Sequence, residues 1–129
     1  MPSGLARLKR RADFVRVAAK GRRAVRPGFI LQAAPRPAEG EAGEAVRIGF
    51  TASRKVGNAV VRNRAKRRLR ALAAEVLSRR GRPGTDYVLI ARAAMGDRPY
   101  AELVSDLDTA LRQVQQRPRD SRPRRAEEE

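Results

Sequence analysis

The chain has 129 residues, with Lys+Arg 30 against Asp+Glu 14, a formal net charge of +16 and a pI near 11.7. Its length suits one domain. Cys and His are both absent, which excludes disulfides, the usual zinc sites and any Ser-His or Cys-His nucleophile pair. So large a surplus of one sign destabilises a compact chain by self-repulsion unless a polyanion meets it; nucleic acid is the first partner class and an anionic membrane the second.

The N-terminal MPSGLARLKRRADF has no apolar core region, so no secretory signal is expected. No stretch approaches the ~20 apolar residues of a membrane span; the expected compartment is the cytoplasm, with no membrane partner. From Arg7 to Gly21 the spacing predicts an amphipathic helix with Leu8, Ala12, Val15 and Ala19 as its stripe, Phe14, Val17 and Ala18 to one side, and Gly21 as the stop. A short apolar run, Gly28 to Ala33, reads as a strand, and PRPAEGEAGE (35–44) as a loop. Val46 to Ala52 alternates as a strand with one buried face, and a hairpin across the loop is expected. A basic helix capped by Asn58 is expected to run to about Ser78 and to end at Gly81–Gly84. DYVLIARA (86–93) suits a central strand, and Pro99-Tyr100 opens a last helix with the stripe Leu103, Leu107, Leu111 and Val114. Residues 1–116 are read as one domain, which the family resemblance given below makes RNA-binding, and 117–129 as a disordered tail. The expected class is α+β, a two-layer α-β sandwich in the order α-β-β-β-α-β-α with a mixed sheet. That order holds one strand more than the two located ahead of the basic helix.

KVGNAVVRNRAKRRLRAL (55–72) is the most informative stretch. On a helical wheel Val61, Ala65, Leu69, Leu72 and Val76 fall within about 80°, a seam able to dock on a sheet. Arg62, Asn63, Lys66 and Arg70 lie on one flank, with Arg64, Arg67 and Arg68 on the other flank and the back. No acid occurs from Arg54 to Arg70. A merely solvated face would interleave Glu with Lys or Arg, because like charges at i,i+4 repel, and cations near a helix N-terminus oppose the macrodipole. Phosphate binding by guanidinium forks accounts for both tolerances. Asn63 can hydrogen-bond a base edge or a 2′-OH, or be a plain surface Asn. Composition alone leaves DNA and RNA open.

RIGFTASRKVGNAVVRNRAKRRLRAL closely resembles the signature of the protein subunit of bacterial ribonuclease P. Ser53, Arg54, Lys55, Val56, Gly57, Asn58, Ala59, Val60, Arg62, Asn63, Arg64, Lys66, Arg67 and Arg70 all match it at fixed spacing. RLKRRADFVRVAAKGRR is similar to the family's first helix and DYVLIARAAM to its last strand, so the resemblance spans about Arg7 to Gln116. It implies a sandwich with a left-handed β-α-β crossover, where physics alone gives a right-handed one. It also implies the removal of the 5′ leader of precursor tRNA by a catalytic RNA subunit, with Mg²⁺ held mainly by that RNA, and a 1:1 protein–RNA holoenzyme. Carried over by position, Arg54, Lys55, Arg62, Asn63, Arg64, Lys66, Arg67 and Arg70 face the catalytic RNA. Phe14 faces the leader in a cleft between the first helix and the sheet, with Val17, Ile30, Gln32, Arg10 and Arg11; Phe14 as plain core is the competing reading. Many relatives have further aromatics where this chain has Ala18 and Gln32, which implies weaker and more salt-sensitive leader contacts.

No side chain of the chain itself is expected to be catalytic. Asp13, Glu75, Asp86, Asp97, Glu102, Asp106 and Asp108 are scattered along the sequence, whereas metal-dependent phosphodiester hydrolysis needs clustered carboxylates. The competing functional class is a structural RNA-binding protein of the ribosomal kind; a DNA-binding module fits only the charge.

Overall fold

The structure, a computed structural model, describes residues 5–35 and 45–116. The expected loop over 36–44 and the expected disordered tail over 117–129 lie outside the described residues. The chain runs through β1 (Leu5–Arg7), α1 (Arg11–Lys20), β2 (Arg22–Val25), β3 (Phe29–Pro35), β4 (Val46–Thr51), α2 (Ala59–Leu72), α3 (Ser78–Arg80), β5 (Thr85–Ala91) and α4 (Tyr100–Gln116). A π-type turn over Ala73–Leu77 joins α2 to α3, so the basic helical run ends at Arg80, close to the expected Ser78. β2 supplies the third strand of the expected order, and β1 is an additional strand ahead of it.

The five strands are ordered β1-β4-β5-β3-β2, with β1, β4 and β5 parallel and β5, β3 and β2 antiparallel. This is the expected mixed sheet of an α+β fold. The expected hairpin between β3 and β4 does not form: β5 lies between them and pairs with both. Asp86, Tyr87, Val88 and Leu89 of β5 are all buried, and a strand apolar on both faces is most stable at the centre of a sheet.

Alternation divides the sheet. Phe29, Leu31, Ala33, Ile48, Tyr87, Leu89 and Ala91 point to one face, where they pack with Ala65, Leu69 and Leu72 of α2 and with Leu103, Leu107, Leu111 and Val114 of α4. α2 and α4 therefore form the helical layer of the sandwich. α1 lies across the opposite face and buries its Val17 against Leu8, Ala34 and Val88. Its buried side differs from the one the spacing predicts. Ala12 and Ala19 are exposed and Val15 is 54% exposed, while Val17 is fully buried and Phe14 half-buried. Residues 5–7 join the sheet instead of the helix, and Leu8 N–H donates to the Ile48 carbonyl at 3.0 Å.

Candidate nucleic-acid interface

α2 begins at a built corner. Ser53 Oγ accepts from Lys55 N–H at 3.3 Å and Gly57 N–H donates to the Arg54 carbonyl at 3.1 Å, closing a tight turn over Arg54–Val56. Gly57 has φ of 152°, a region that L-residues with a side chain avoid. A β-carbon there would also lie 2.8 Å from Val61 Cβ. Asn58 is the expected N-cap, its Oδ1 accepting from Val61 N–H at 3.0 Å.

From that corner the seam residues Ala65, Leu69, Leu72 and Val76 bury completely or nearly so, while Val61 stays 36% exposed. The other faces carry the cations. Arg54, Lys55, Asn63, Arg64, Arg67 and Arg70 are exposed, and Arg62 and Lys66 are half-buried. Among the described residues no acidic side chain pairs with Arg54, Lys55, Arg62, Arg64, Lys66, Arg67 or Arg70. The acids are engaged elsewhere: Asp13 and Asp86 with Arg16 and Arg47, Asp106 with Arg26 and Arg98, and Asp108 with Arg80 and Arg112.

Two arginines of α2 depart from the even comb that the wheel suggests. Arg62 Nη1 donates to the Gly57 carbonyl at 3.0 Å and braces the corner. Arg68 donates to the carbonyls of Gly96 and Arg98 at 2.8 and 2.6 Å, tying α2 to the segment between β5 and α4.

The opposite sheet face has three cross-strand rows, about 7 Å apart along the strands. Ala34, Asp86 and Arg47 form the first. There Arg47 grips Asp86 through Nε (2.9 Å) and Nη2 (2.7 Å), and Arg16 of α1 donates to the same carboxylate. Asp13 lies 3.7 Å from Arg16 and 3.6 Å from Arg47, and Arg16 also donates to the Pro35 carbonyl at 3.0 Å. This network clamps α1 to the sheet. Arg23, Gln32, Val88 and Gly49 form the second row, with Phe14 over Gly49. Val25, Ile30, Ile90 and Thr51 form the third, where Val25 is 50% exposed and the others are half-buried. The third row is thus a partly exposed strip next to the row that carries Phe14.

The expected cleft residues separate accordingly. Phe14 and Ile30 are half-buried, and Arg10 and Arg11 are exposed at the start of α1. Val17 is fully buried in the core and has no surface to offer a ligand. Gln32 is 8% exposed. Val25, Thr51 and Ile90 were not anticipated; the period-two alternation marks each locally, but only the strand register aligns them. Asp13 and Asp86, far apart in sequence, share the guanidinium groups of Arg16 and Arg47. Among the described residues no three acidic side chains gather to hold a metal ion. No helix among the described residues is long and apolar enough to cross a membrane.

The comparisons with known proteins converge. A sequence model of the family described as Ribonuclease P matches residues 3–115. The ribonuclease P protein component of Paramagnetospirillum magneticum is 50% identical over 114 residues, covering 88% of this chain and 86% of that protein. Its counterpart in Ruegeria pomeroyi is 52% identical over 113 residues, covering 87% and 88%. The Staphylococcus aureus RNase P protein structure superposes with a TM-score of 0.68 at 28% identity, over 84% of this chain and 94% of that one. The Thermotoga maritima RNase P protein shares the fold, with a TM-score of 0.69 at 22% identity over 84% and 97%. With the uncompensated comb of α2 and this breadth of similarity, the chain belongs to the family of ribonuclease P protein components, the protein part of an endoribonuclease that works with RNA.

Proposed function

We propose that the chain binds the catalytic RNA subunit of ribonuclease P through α2 and the corner before it, and holds the 5′ leader of precursor tRNA in the cleft beside α1. The observation that carries this reading is the set Arg54, Lys55, Arg64, Lys66, Arg67 and Arg70, without acidic partners among the described residues, on α2 and the corner before it, with Asn63 among them. Guanidinium groups held in that order meet successive phosphates without first leaving an acidic neighbour. Their contribution to leader removal is positional: they neutralise repulsion between two RNAs and fix the substrate's orientation. The attacking water and the Mg²⁺ that activates it belong to the RNA subunit. One chain serves one catalytic RNA, in the cytoplasm.

The cleft offers one aromatic wall, Phe14, above an apolar floor of Val25, Ile30 and Ile90. Ala18 is exposed and Gln32 buried, so neither adds a stacking surface. Leader contacts therefore lean on the exposed guanidinium groups of Arg11 and of Arg10, which lies 3.7 Å from Asp13, and weaken steeply with salt.

Reconstitution tests the reading. Purified chain is added to the catalytic RNA of ribonuclease P at low Mg²⁺, and cleavage of precursor tRNA is timed. A clear acceleration over RNA alone is expected. Unchanged cleavage together with co-sedimentation on ribosomes would replace this reading with the structural RNA-binding one.

A further inference from the structure

Gly49 has no need of a glycine backbone conformation, since its φ is not among the positive ones. Its requirement is spatial. A β-carbon there would lie 2.5 Å from Phe14 Cζ, closer still to Cε1, and 3.2 Å from Leu8 Cδ1. The Phe14 ring thus rests directly on the β4 backbone. The Arg16–Asp86–Arg47 clamp, one row away, prevents α1 from lifting to make room. Asp86 is fully buried and Arg47 and Arg16 are only 14% and 20% exposed, so the clamp is not a loose surface pair.

We propose that Gly49 is the positioning residue of the leader cleft: its missing side chain sets how deep Phe14 sits, and so fixes the wall against which a leader nucleotide stacks. The inference rests on the proposed leader-binding role of the cleft. Any larger residue raises the ring into the cleft mouth or turns it edge-on, while the α2 comb on the other side of the sheet stays unchanged.

The test is a double-mutant cycle in the reconstituted holoenzyme. Gly49→Ala, Phe14→Ala and the pair are compared for affinity toward precursor tRNA and toward the same tRNA without its leader, and separately for binding of the protein to the catalytic RNA. Losing one stacked base weakens leader-bearing substrate about 5- to 150-fold. Phe14→Ala is expected within that range, and Gly49→Ala to cost about fivefold or more on leader-bearing substrate alone. In the Phe14→Ala background Gly49→Ala should then cost nothing further, because the ring it displaces is gone. Phe14→Leu with Gly49→Ala supplies a variant with room for the methyl group, should Gly49→Ala alone fail to fold; it should bind the leader as Phe14→Leu does. If Phe14→Ala weakens leader binding but Gly49→Ala does not, the positioning role is wrong and the cleft stands. Loss from Gly49→Ala in every background, or equal loss on leaderless tRNA, also overturns it. If Phe14→Ala has no effect, the cleft reading falls and the inference with it.

Discussion

Arg64, Arg67 and Arg68 carry the same charge on the same helix, yet the structure assigns them different work. Arg64 and Arg67 are exposed and unpaired among the described residues, whereas Arg68 is held by the Gly96 and Arg98 carbonyls. Replacing any one by alanine lowers the net charge equally. If the chain attracted RNA only through its overall field, the three variants would lose salt dependence alike. If individual guanidinium groups meet phosphates, only the unpaired ones matter. With Arg54, Lys55, Arg64, Lys66, Arg67 and Arg70 each neutralising one phosphate, log K against log salt should have a slope of about −4 to −5. Raising salt from about 50 to about 200 mM then costs roughly 250-fold to a thousandfold in affinity. Arg64→Ala or Arg67→Ala should flatten the slope by about 0.7–0.9 and leave folding stability nearly unchanged. Arg68→Ala should keep the slope and cost about 1–3 kcal/mol of stability, because two part-buried carbonyls lose their donor. Fluorescence anisotropy of labelled catalytic RNA across a salt series measures the slope; urea unfolding followed by circular dichroism measures the stability. Equal flattening by all three variants would refute the reasoning, as would Arg64→Ala that destabilises the fold without altering the slope.

Asp86→Asn should cost about 3 kcal/mol in urea unfolding, since it removes the charge of the buried carboxylate that part-buried Arg16 and Arg47 share; a loss below about 1 kcal/mol would show that the clamp is dispensable. Tyr87 is buried, which pushes its hydroxyl above the ordinary 10.0 despite the lowering hydrogen bond from Arg82 N–H. The unfolded chain gives up that proton first, so Tyr87 contributes stability below pH 10 that is lost as pH rises through the folded value. Tyr87→Phe should flatten this alkaline decline and cost about 1–2 kcal/mol at neutral pH, by orphaning Arg82 N–H and the Gln115 carbonyl. Gly57→Ala should cost about 1–3 kcal/mol from its backbone conformation and, by shifting the corner that carries Arg54 and Lys55, weaken catalytic-RNA binding; unaltered affinity in the same anisotropy assay would show that the corner is not part of the interface.

The basic helix was legible because independent local signals agree on it. Asn58 caps it, the Ala65–Leu69–Leu72–Val76 seam has helical period, and the cations fill the remaining faces. α1 was legible as a helix but not in its facing. Alanines at 12 and 19 count fully in a periodicity argument while burying little area, so Leu8, Ala12, Val15 and Ala19 form a stripe on paper. The actual facing is chosen by partners distant in sequence: a bare backbone at Gly49 for Phe14 and a buried carboxylate at Asp86 for Arg16. The same distance hid the strand order. Nothing near 28–52 shows that a strand from 85–91 intervenes, because pairing energy is non-local and a hairpin is simply the shortest closure. Asp86 did carry a trace of the clamp: a carboxylate at the start of an otherwise apolar strand demands a cation, and Arg47 is its register partner.

A net charge of +16 suggests a uniformly basic surface, and the structure divides it into two populations. Arg16, Arg26, Arg47, Arg80, Arg98 and Arg112 pair with the acids of α1, β5 and α4, and Arg68 caps carbonyls; all of these brace the fold. The cations of α2 and its preceding corner lack such partners among the described residues. In a chain with this few acids, where the carboxylates sit decides which arginines remain available to RNA. A carboxylate introduced one turn from the comb, as in Ala71→Glu four residues after Arg67, would therefore lower RNA affinity by more than its unit of net charge predicts, because it converts a waiting guanidinium into a satisfied one. The same substitution at Ala101, on the exposed face of α4, should change affinity only through the general field and vanish at high salt. If the two glutamates weaken RNA binding equally at every salt concentration, the distinction between bracing and waiting arginines has no functional meaning.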